Sequence, residues 1–211
     1  MPDYSTLILF IAAALALLIT PGPAVLYIVA RSIDQGRIAG IVSVLGIGVG
    51  TLFHVAAAAF GVSALLVSSV LAFSLVKYLG AAYLIYLGLR KLLEREKAEP
   101  VETVEPQKLS RIFYQGVMVN LLNPKTALFF FAFLPQFVDV SRGAIALQVA
   151  FLGSLLVVMG FFSDGFYAVL AGTVGNWLRG NLRFLQAQRY FAGSVFIALG
   201  LVAALAGSGK E

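Results

Sequence analysis

The chain has 211 residues, of which 60% are hydrophobic and 12% are charged, and its formal net charge is +5. A soluble domain carries about 25% charged residues, so the composition predicts a polytopic membrane protein with no room for a separate soluble domain. The positive charge does not indicate a nucleic-acid partner, because the basic residues gather in loops that flank apolar segments. The absence of cysteine excludes disulfides and thiolate metal sites.

The first apolar segment is interrupted near its middle. Residues 4–30 hold no charged side chain, a run of 27 residues, and about 20 apolar residues are enough to span the hydrocarbon as a helix. Pro21 and Pro23 lack the N–H groups of a continuous helix, so the helix is expected to break there. Thr20 followed by Pro21 predicts an N-cap and the first residue of a second half-helix. Broken backbone at membrane depth is tolerated where it lines a cavity, so this stretch is expected to line a transport site.

Charged residues divide the chain into six predicted transmembrane helices, which makes the fold class an all-α integral membrane protein. Their approximate limits are residues 4–30, 38–65, 70–90, 112–138, 144–172 and 190–207. A charged linker over residues 91–111 separates the third span from the fourth. An odd number of crossings on each side of the linker makes the two halves inverted repeats, residues 1–90 and 112–211, within one transmembrane domain.

The fourth span has an interruption that corresponds to the one in the first. Asn123 followed by Pro124 again predicts an N-cap and a first helical residue, and Asn120 is expected to face the break because Pro124 removes its backbone partner. Matching interruptions in corresponding spans are the best pointer in a sequence to a transporter binding site. The predicted substrate-binding residues are Thr20, Pro21, Gly22, Pro23, Asn120, Asn123, Pro124 and Lys125.

The distribution of Lys and Arg predicts the orientation in the membrane. The loops after spans one, three and five hold eleven basic residues: Arg31, Arg37, Arg90, Lys91, Arg95, Lys97, Lys108, Arg111, Arg179, Arg183 and Arg189. The opposite side holds Lys77, Arg142 and Lys210. By the positive-inside rule, the side with eleven basic residues is cytoplasmic, which places both termini outside.

Asp164 and His54 are the predicted proton-coupling residues. Asp164 is the only carboxylate well inside an apolar span, where a charge costs about 2.5–3.5 kcal/mol on insertion scales. The alternative is a structural ion pair or a position that reaches cytoplasmic water. His54 is the only histidine, and histidine suits a proton relay because it changes charge near neutral pH. The alternative for His54 is a hydrogen bond between helices.

Three further features of the apolar spans also lead to expectations. Lys125 lies in the first turn of the second half-helix, where it can attract an anionic substrate group, pair with Asp164 or extend towards water. The glycines of the stretch 46–50 predict tight contact between helices. The aromatic run Phe129-Phe130-Phe131, followed by Phe133, predicts lipid contact and packing rather than a substrate cage.

These residues give the chain a resemblance to the LysE/RhtB family, the lysine exporters and homoserine/threonine exporters of bacteria. The likeness rests on residues 19–23 with 30–32 and 36–37, on residues 46–54, on residues 77–84 with 86–88, and on residues 115–137, in order along the chain. The resemblance implies a six-span protein of the bacterial inner (cytoplasmic) membrane that exports an amino acid or a related zwitterionic metabolite by proton antiport. Many members have Asn or Asp after the Pro-Gly-Pro, where this chain has Ala24.

The preferred interpretation is therefore a transporter and not an enzyme. Its expected partners are a small-molecule substrate, protons and membrane lipid, with no cofactor, metal or catalytic residue, and a homo-oligomer is left open. A membrane-embedded hydrolase would need clustered ligands or a nucleophile with its base, and one His and one buried Asp on different spans make a poor set. A passive channel or structural membrane protein is compatible with the composition, but it would give the paired breaks and the buried acid no purpose.

Overall fold

The computed structural model describes residues 2–68, 70–93, 107–179 and separate positions between 186 and 204. Within these residues the chain is helical and forms no β-strand. The α-helices are α1 (Tyr4–Ile19), α2 (Pro23–Ser68), α3 (Val70–Leu93), α4 (Leu109–Leu121), α5 (Pro124–Leu128) and α6 (Ile145–Arg179). A π-helical turn (Phe129–Phe133) and two 3-10 turns (Leu134–Phe137 and Val140–Arg142) connect α5 to α6. Most of the predicted sixth span lies outside the described residues, as do residues 94–106 of the linker and Arg183, Arg189 and Lys210.

Helix α1 begins at a side-chain cap. The carboxylate of Asp3 accepts a hydrogen bond from the backbone N–H of Thr6 at 2.8 Å, which satisfies one of the unpaired donors of the first turn. This bond favours the ionised carboxylate and lowers the pKa of Asp3 to about 2. The first predicted span therefore starts close to the limit read from the sequence.

The break after α1 differs in detail from the one predicted. The N–H of Thr20 donates to the carbonyls of Ala16 and Leu17, and its hydroxyl donates to Ala16 at 2.7 Å, so Thr20 caps the carboxyl end of α1. The predictions that Thr20 is an N-cap and that Pro21 starts the next helix are wrong, because α2 begins at Pro23. A proline disfavours the helical conformation in the residue before it, so Pro23 delays the start of the helix by two residues.

Helix α2 reverses direction at Gly36. This residue has φ 83° and ψ 177°, a conformation that glycine adopts readily and other residues do not. Ile28 packs against Val44 and Ile47, although a straight helix would place Ile28 and Val44 about 24 Å apart. Residues 23–35 therefore fold back on residues 37–68, and α1 with residues 23–35 corresponds to the first predicted span and its polar turn.

By length and composition alone, two helical segments among the described residues are long and apolar enough to cross a membrane: Pro23–Gly61, which includes the reversal at Gly36, and Ile145–Thr173. A third is added if Leu109–Leu121 and Pro124–Phe137 are taken as one span bent by 47°. The all-helical fold thus agrees with a membrane protein, and the arrangement of six spans in two inverted repeats stays a prediction.

Glycines bring the backbones of α2 and α4 into contact. A Cβ atom on Gly46 would lie 2.3 Å from the carbonyl oxygen of Phe113, and one on Gly50 would lie 2.8 Å from that of Val117. A side chain at either position would force the helices apart, so the tight contact predicted for this glycine stretch is confirmed. The contact fixes the end of α4, and with it the second break, against α2.

The aromatic run after α5 lies in the protein core. Phe129, Phe130 and Phe133 are each at most 1% exposed, and Phe10 of α1 packs against Phe129 with ring centroids 6.0 Å apart. The packing predicted for this run is confirmed, and the lipid contact is wrong for these three residues because α1 and α6 cover them. The same packing anchors the segment that follows the second break.

Candidate transport site

A cavity of about 60 Å³ lies between the break after α1 and the break after α4. This volume has room for several water molecules. Helices α1, α2, α4, α5 and α6 all contribute to its wall. Its polar lining residues are Thr51, Asn120, Asn123, Lys125, Thr126 and Asp164.

Lys125 connects the two breaks. Its Nζ atom donates a hydrogen bond to the carbonyl oxygen of Thr20 at 2.5 Å, and the residue is 8% exposed. The carbonyls at the end of α1 have no partner within the helix and carry a partial negative charge. The ammonium group of Lys125, in the first turn of α5, therefore binds a carbonyl at the carboxyl end of α1. Its positive charge offsets the partial negative charge of that helix end.

Gly22 leaves the space that the Lys125 side chain occupies. A Cβ atom on Gly22 would lie 3.1 Å from Cδ of Lys125, closer than most contacts of this kind. A side chain at this position would make Lys125 shift by a few tenths of an ångström, so glycine favours the close approach of Lys125 to the first break.

Asp164 lies on the α6 side of the same cavity. It is 7% exposed, and its negative charge interacts with the positive charge of Lys125. One turn further along α6, the hydroxyl of Tyr167 donates to the carbonyl of Ile19 at 2.8 Å, so α6 also contacts the carboxyl end of α1. Ala168 is fully buried against Ile28, Val44 and Ile47, so this side of α6 packs against α2. Two buried and opposite charges therefore face one cavity.

Asn123 caps the helix that starts at the second break. Its side-chain oxygen accepts a hydrogen bond from the N–H of Lys125 at 3.1 Å, and Pro124 is the first residue of α5. This is the arrangement predicted from the order of Asn123 and Pro124. The cap holds the first turn of α5, and with it the Lys125 side chain, in a fixed position on the cavity wall.

Asn120 ties the end of α4 to its neighbours. Its side-chain nitrogen donates to the carbonyl of Ile47 at 3.0 Å and to the hydroxyl of Thr51 at 2.8 Å. Its side-chain oxygen accepts hydrogen bonds from Thr126 at 2.9 Å and from Asn123 at 3.3 Å. Both halves of the amide are therefore paired with protein groups, which joins α2, α4 and α5 at the cavity.

His54 contacts the backbone carbonyl of Asn120, which receives no hydrogen bond from residue 124 because proline has no N–H group. Its Nε2 atom lies 3.0 Å from the carbonyl oxygen of Asn120, which also accepts from the N–H of Asn123. A carbonyl only accepts, so Nε2 is the donor and carries a proton. The His54 ring stacks on Phe130 with centroids 5.9 Å apart. This geometry corresponds to the alternative of a histidine that is hydrogen-bonded between helices.

The family model of the LysE type translocators matches residues 15–207, which include both breaks and the cavity. The chain belongs to the LysE family. The resemblance read from the sequence motifs is thereby confirmed. Membership of this family of translocators makes the chain a membrane transport protein.

Relatives of this LysE-family chain match it over nearly its full length. An uncharacterized membrane protein of Vibrio cholerae serotype O1 is 28% identical over 97% of this chain and 98% of its own length. The uncharacterized membrane protein YrhP of Bacillus subtilis is 28% identical over 93% and 97%. A homoserine/homoserine lactone efflux protein of Salmonella typhimurium is 29% identical over 93% and 95%. No solved structure matches the chain.

The structure of this LysE-family protein gathers half of the predicted site residues around the cavity. Those on the wall are Gly22, Asn120, Asn123, Lys125 and Asp164. Thr20 reaches the site through its carbonyl group. Pro21, Pro23, Pro124 and His54 lie outside the wall that the described residues form. The prolines shape the breaks and leave the lining to their neighbours.

Sequence reasoning missed two parts of the wall. Thr51 and Thr126 were not predicted, although Thr126 follows Lys125 directly and Thr51 follows the glycine stretch. The apolar part of the wall consists of Leu17, Leu18, Val25, Val44, Ile47, Leu156, Val157 and Phe161, with Ala24 and the glycines Gly48 and Gly160. In the sequence these residues look the same as neighbours that face lipid, because both environments select apolar side chains.

Proposed function

We propose that this LysE-family protein exports an amino acid or a related small zwitterionic metabolite across the cytoplasmic membrane by proton antiport. The observation that carries the proposal is that both helix breaks and two buried opposite charges, Lys125 and Asp164, meet at one cavity. The name of the Salmonella relative, an efflux protein for homoserine and its lactone, supports a substrate of amino-acid type. The protein is accordingly a transporter without catalytic residues or a cofactor.

The substrate carboxylate binds between the start of α2 and Lys125. Ala24 and Val25 belong to the first turn of α2, where backbone N–H groups have no partner within the helix, and both line the cavity. A helix start attracts anions through these donors and its partial positive charge, and the Lys125 ammonium adds to that field. An α-carboxylate is therefore the group expected at this end of the cavity.

The substrate ammonium binds Asp164. Asp164 is the acidic residue on the cavity wall. It belongs to α6, whereas the site proposed for the substrate carboxylate is formed by α2 and α5. A zwitterion placed between Lys125 and Asp164 therefore meets an opposite charge at each end. Its side chain then lies against the apolar wall of Leu17, Ile47 and Phe161.

Competition at Asp164 supplies the coupling to protons. The Asp164 carboxylate binds either the substrate ammonium group or a proton. As the site faces each side of the membrane in turn, it releases one and binds the other. Export of one zwitterion then admits a proton, because the protonated acid is the neutral form that can move without its substrate. His54 is the next group to test as a proton carrier if Asp164 is not the coupling residue.

The proposed architecture has six spans in two inverted three-helix repeats, with the breaks in spans one and four. Support comes from the matching positions of the two breaks and from the distribution of basic residues, which puts both termini outside. In such an arrangement the two repeats rock against each other around a fixed site, and the Lys125–Thr20 contact crosses between them.

The test compares matched ligands on the purified protein. A growth-inhibition panel first identifies which amino acid an expressing strain tolerates better than a control strain. That amino acid, its decarboxylated amine and its deaminated acid are then compared for binding by calorimetry in detergent. The proposal expects the amine and the acid each to bind at least tenfold more weakly, since each lacks one charge. Equal binding of the amine and the amino acid would contradict a carboxylate site.

A further inference from the structure

A second concavity lies on the outer side of α4, where it meets residues 23–35. It has a volume of about 740 Å³ and is open to the surroundings, and we call it the arginine groove. Arg31 and Arg111 line one end of it with Ser110. The transport cavity described above shares none of its lining residues with this groove.

Arg31 brings a buried positive charge to the groove without an acidic partner. It is 8% exposed, and its guanidinium donates to the side-chain oxygen of Gln115 at 3.2 Å and to that of Gln35 at 3.5 Å. It also lies over the ring of Tyr27, 5.6 Å from the centroid. All of these partners are neutral, and within the described part of the chain no carboxylate pairs with Arg31. A buried charge of this kind is stabilised by an anion.

Arg111 and Ser110 complete the polar end. Both are exposed and lie in the first turn of α4, which starts at Leu109 without a side-chain cap. The first turn of a helix offers N–H groups without helical partners, and these favour a negative group in the same place as the two arginines. Two guanidinium groups and a hydroxyl are typical ligands of a phosphate ester.

The other end of the groove is apolar. Tyr114 and Met118 are 68% and 51% exposed and, with Val119, extend the groove along α4. Val119 lies nine positions after Ser110 along the helix, a rise of about 13.5 Å. The groove therefore has a cationic end of headgroup size and an apolar extension along the helix axis, which matches the shape of a phospholipid better than that of a free anion.

We propose that the arginine groove binds an anionic phospholipid of the inner leaflet. The phosphate lies between Arg31 and Arg111, and an acyl chain lies against Tyr114 and Met118. The positive-inside rule places this end of α4 at the cytoplasmic surface, where anionic lipids attract basic side chains. The bound lipid holds residues 23–35, which follow the first break, against α4, which precedes the second.

The test measures lipid binding to the full chain by native mass spectrometry and thermal unfolding. Phosphatidylglycerol, phosphatidylcholine and inorganic phosphate are added separately to the detergent-purified protein. The variant Arg111→Gln removes one charge at an exposed position, and Arg90→Gln on α3 is the matched control, since Arg90 is exposed and is predicted on the same side of the membrane. Arg31→Lys is a second variant that keeps the buried charge but loses the forked geometry.

The proposal expects phosphatidylglycerol to bind and stabilise the wild type more than phosphatidylcholine does. Arg111→Gln is expected to weaken phosphatidylglycerol binding about fivefold, the equivalent of about 1 kcal/mol, while Arg90→Gln leaves it unchanged. Equal effects of the two lipids, or equal losses in the two variants, would overturn the proposal. Stabilisation by inorganic phosphate as large as that by the lipid would also overturn it and would indicate a small-anion site.

Discussion

The ammonium group of Lys125 and the carbonyl oxygen of Thr20 lie 2.5 Å apart, although 105 positions separate the two residues in the chain. This one hydrogen bond joins the carboxyl end of α1 to the first turn of α5. The two interruptions seen in the sequence are therefore physically connected, and the charge that connects them also faces the cavity and Asp164. A ligand that attracts the Lys125 ammonium competes directly with the Thr20 carbonyl.

Lys125→Met is expected to abolish transport while the protein still inserts. Methionine fills a similar volume but cannot bind the Thr20 carbonyl or a substrate carboxylate, so at least a tenfold loss of substrate affinity is expected, about 1.4 kcal/mol. Binding is measured by calorimetry and folding by thermal unfolding in detergent. Lys108→Met, at an exposed position before α4, is the control and should bind as the wild type does. Normal binding by Lys125→Met would show that the lysine has only a structural role.

Gly22→Ala is expected to lower transport several-fold. The new methyl group would lie 3.1 Å from Cδ of Lys125, so the lysine side chain must shift by a few tenths of an ångström, and its hydrogen bond to the Thr20 carbonyl is expected to weaken. Gly165→Ala is the matched control, because a Cβ atom there meets nothing within 4 Å although Gly165 is next to Asp164. Initial rates of export in whole cells, normalised to the amount of membrane-inserted protein, distinguish the two variants. Equal export rates for Gly22→Ala and Gly165→Ala would mean that transport does not depend on the close approach of Gly22 to Lys125.

The positions of the two breaks could be predicted because proline acts locally. Pro124 lacks an N–H group and Asn123 caps the turn that follows, and both effects depend only on neighbours along the chain. The same reasoning failed at Thr20, because two prolines compete there. The restriction that Pro23 places on Gly22 outweighs the tendency of Pro21 to start a helix.

The contacts across the cavity could not be predicted from local rules. Nothing in the sequence pairs Lys125 with Thr20 or His54 with the carbonyl of Asn120, since each contact depends on how α2, α4 and α5 pack. The apolar wall was missed for a different reason. A side chain such as Leu156 has the same preference for lipid and for an apolar cavity, so composition and periodicity do not separate the two environments.

The two substitutions His54→Gln and His54→Leu separate a proton carrier from a structural donor. Glutamine keeps an N–H group for the Asn120 carbonyl, whereas leucine removes it and is expected to lower the free energy of unfolding by about 1 kcal/mol. If His54 is a structural donor, His54→Gln should transport at close to the wild-type rate under a pH gradient. Loss of pH-driven transport in a well-folded His54→Gln protein would instead identify His54 as a proton carrier.

Reporter fusions test the predicted orientation. Fusions within residues 95–108 are expected to behave as cytoplasmic, and fusions after Lys210 as external, because the loops on the first side hold eleven of the basic residues. Alkaline phosphatase and green fluorescent protein fusions report opposite sides of the membrane and serve as controls for each other. If residues 95–108 are cytoplasmic, a cytoplasmic carboxyl terminus would mean an even number of spans after the linker and no inverted pair of three-helix repeats.

The most direct test of proton antiport is the movement of protons driven by substrate in liposomes. Purified protein is reconstituted with the amino acid found in the growth panel on one side, and internal pH is followed with a trapped dye. Asp34 lies in the polar turn after the first predicted span and does not line the cavity, so Asp34→Asn is the control. The wild type and Asp34→Asn should move protons against the flow of substrate, and Asp164→Asn should move none, because the amide cannot exchange an ammonium group for a proton. Substrate flow without proton movement in the wild type, or full proton coupling in Asp164→Asn, would contradict the mechanism proposed for this cavity.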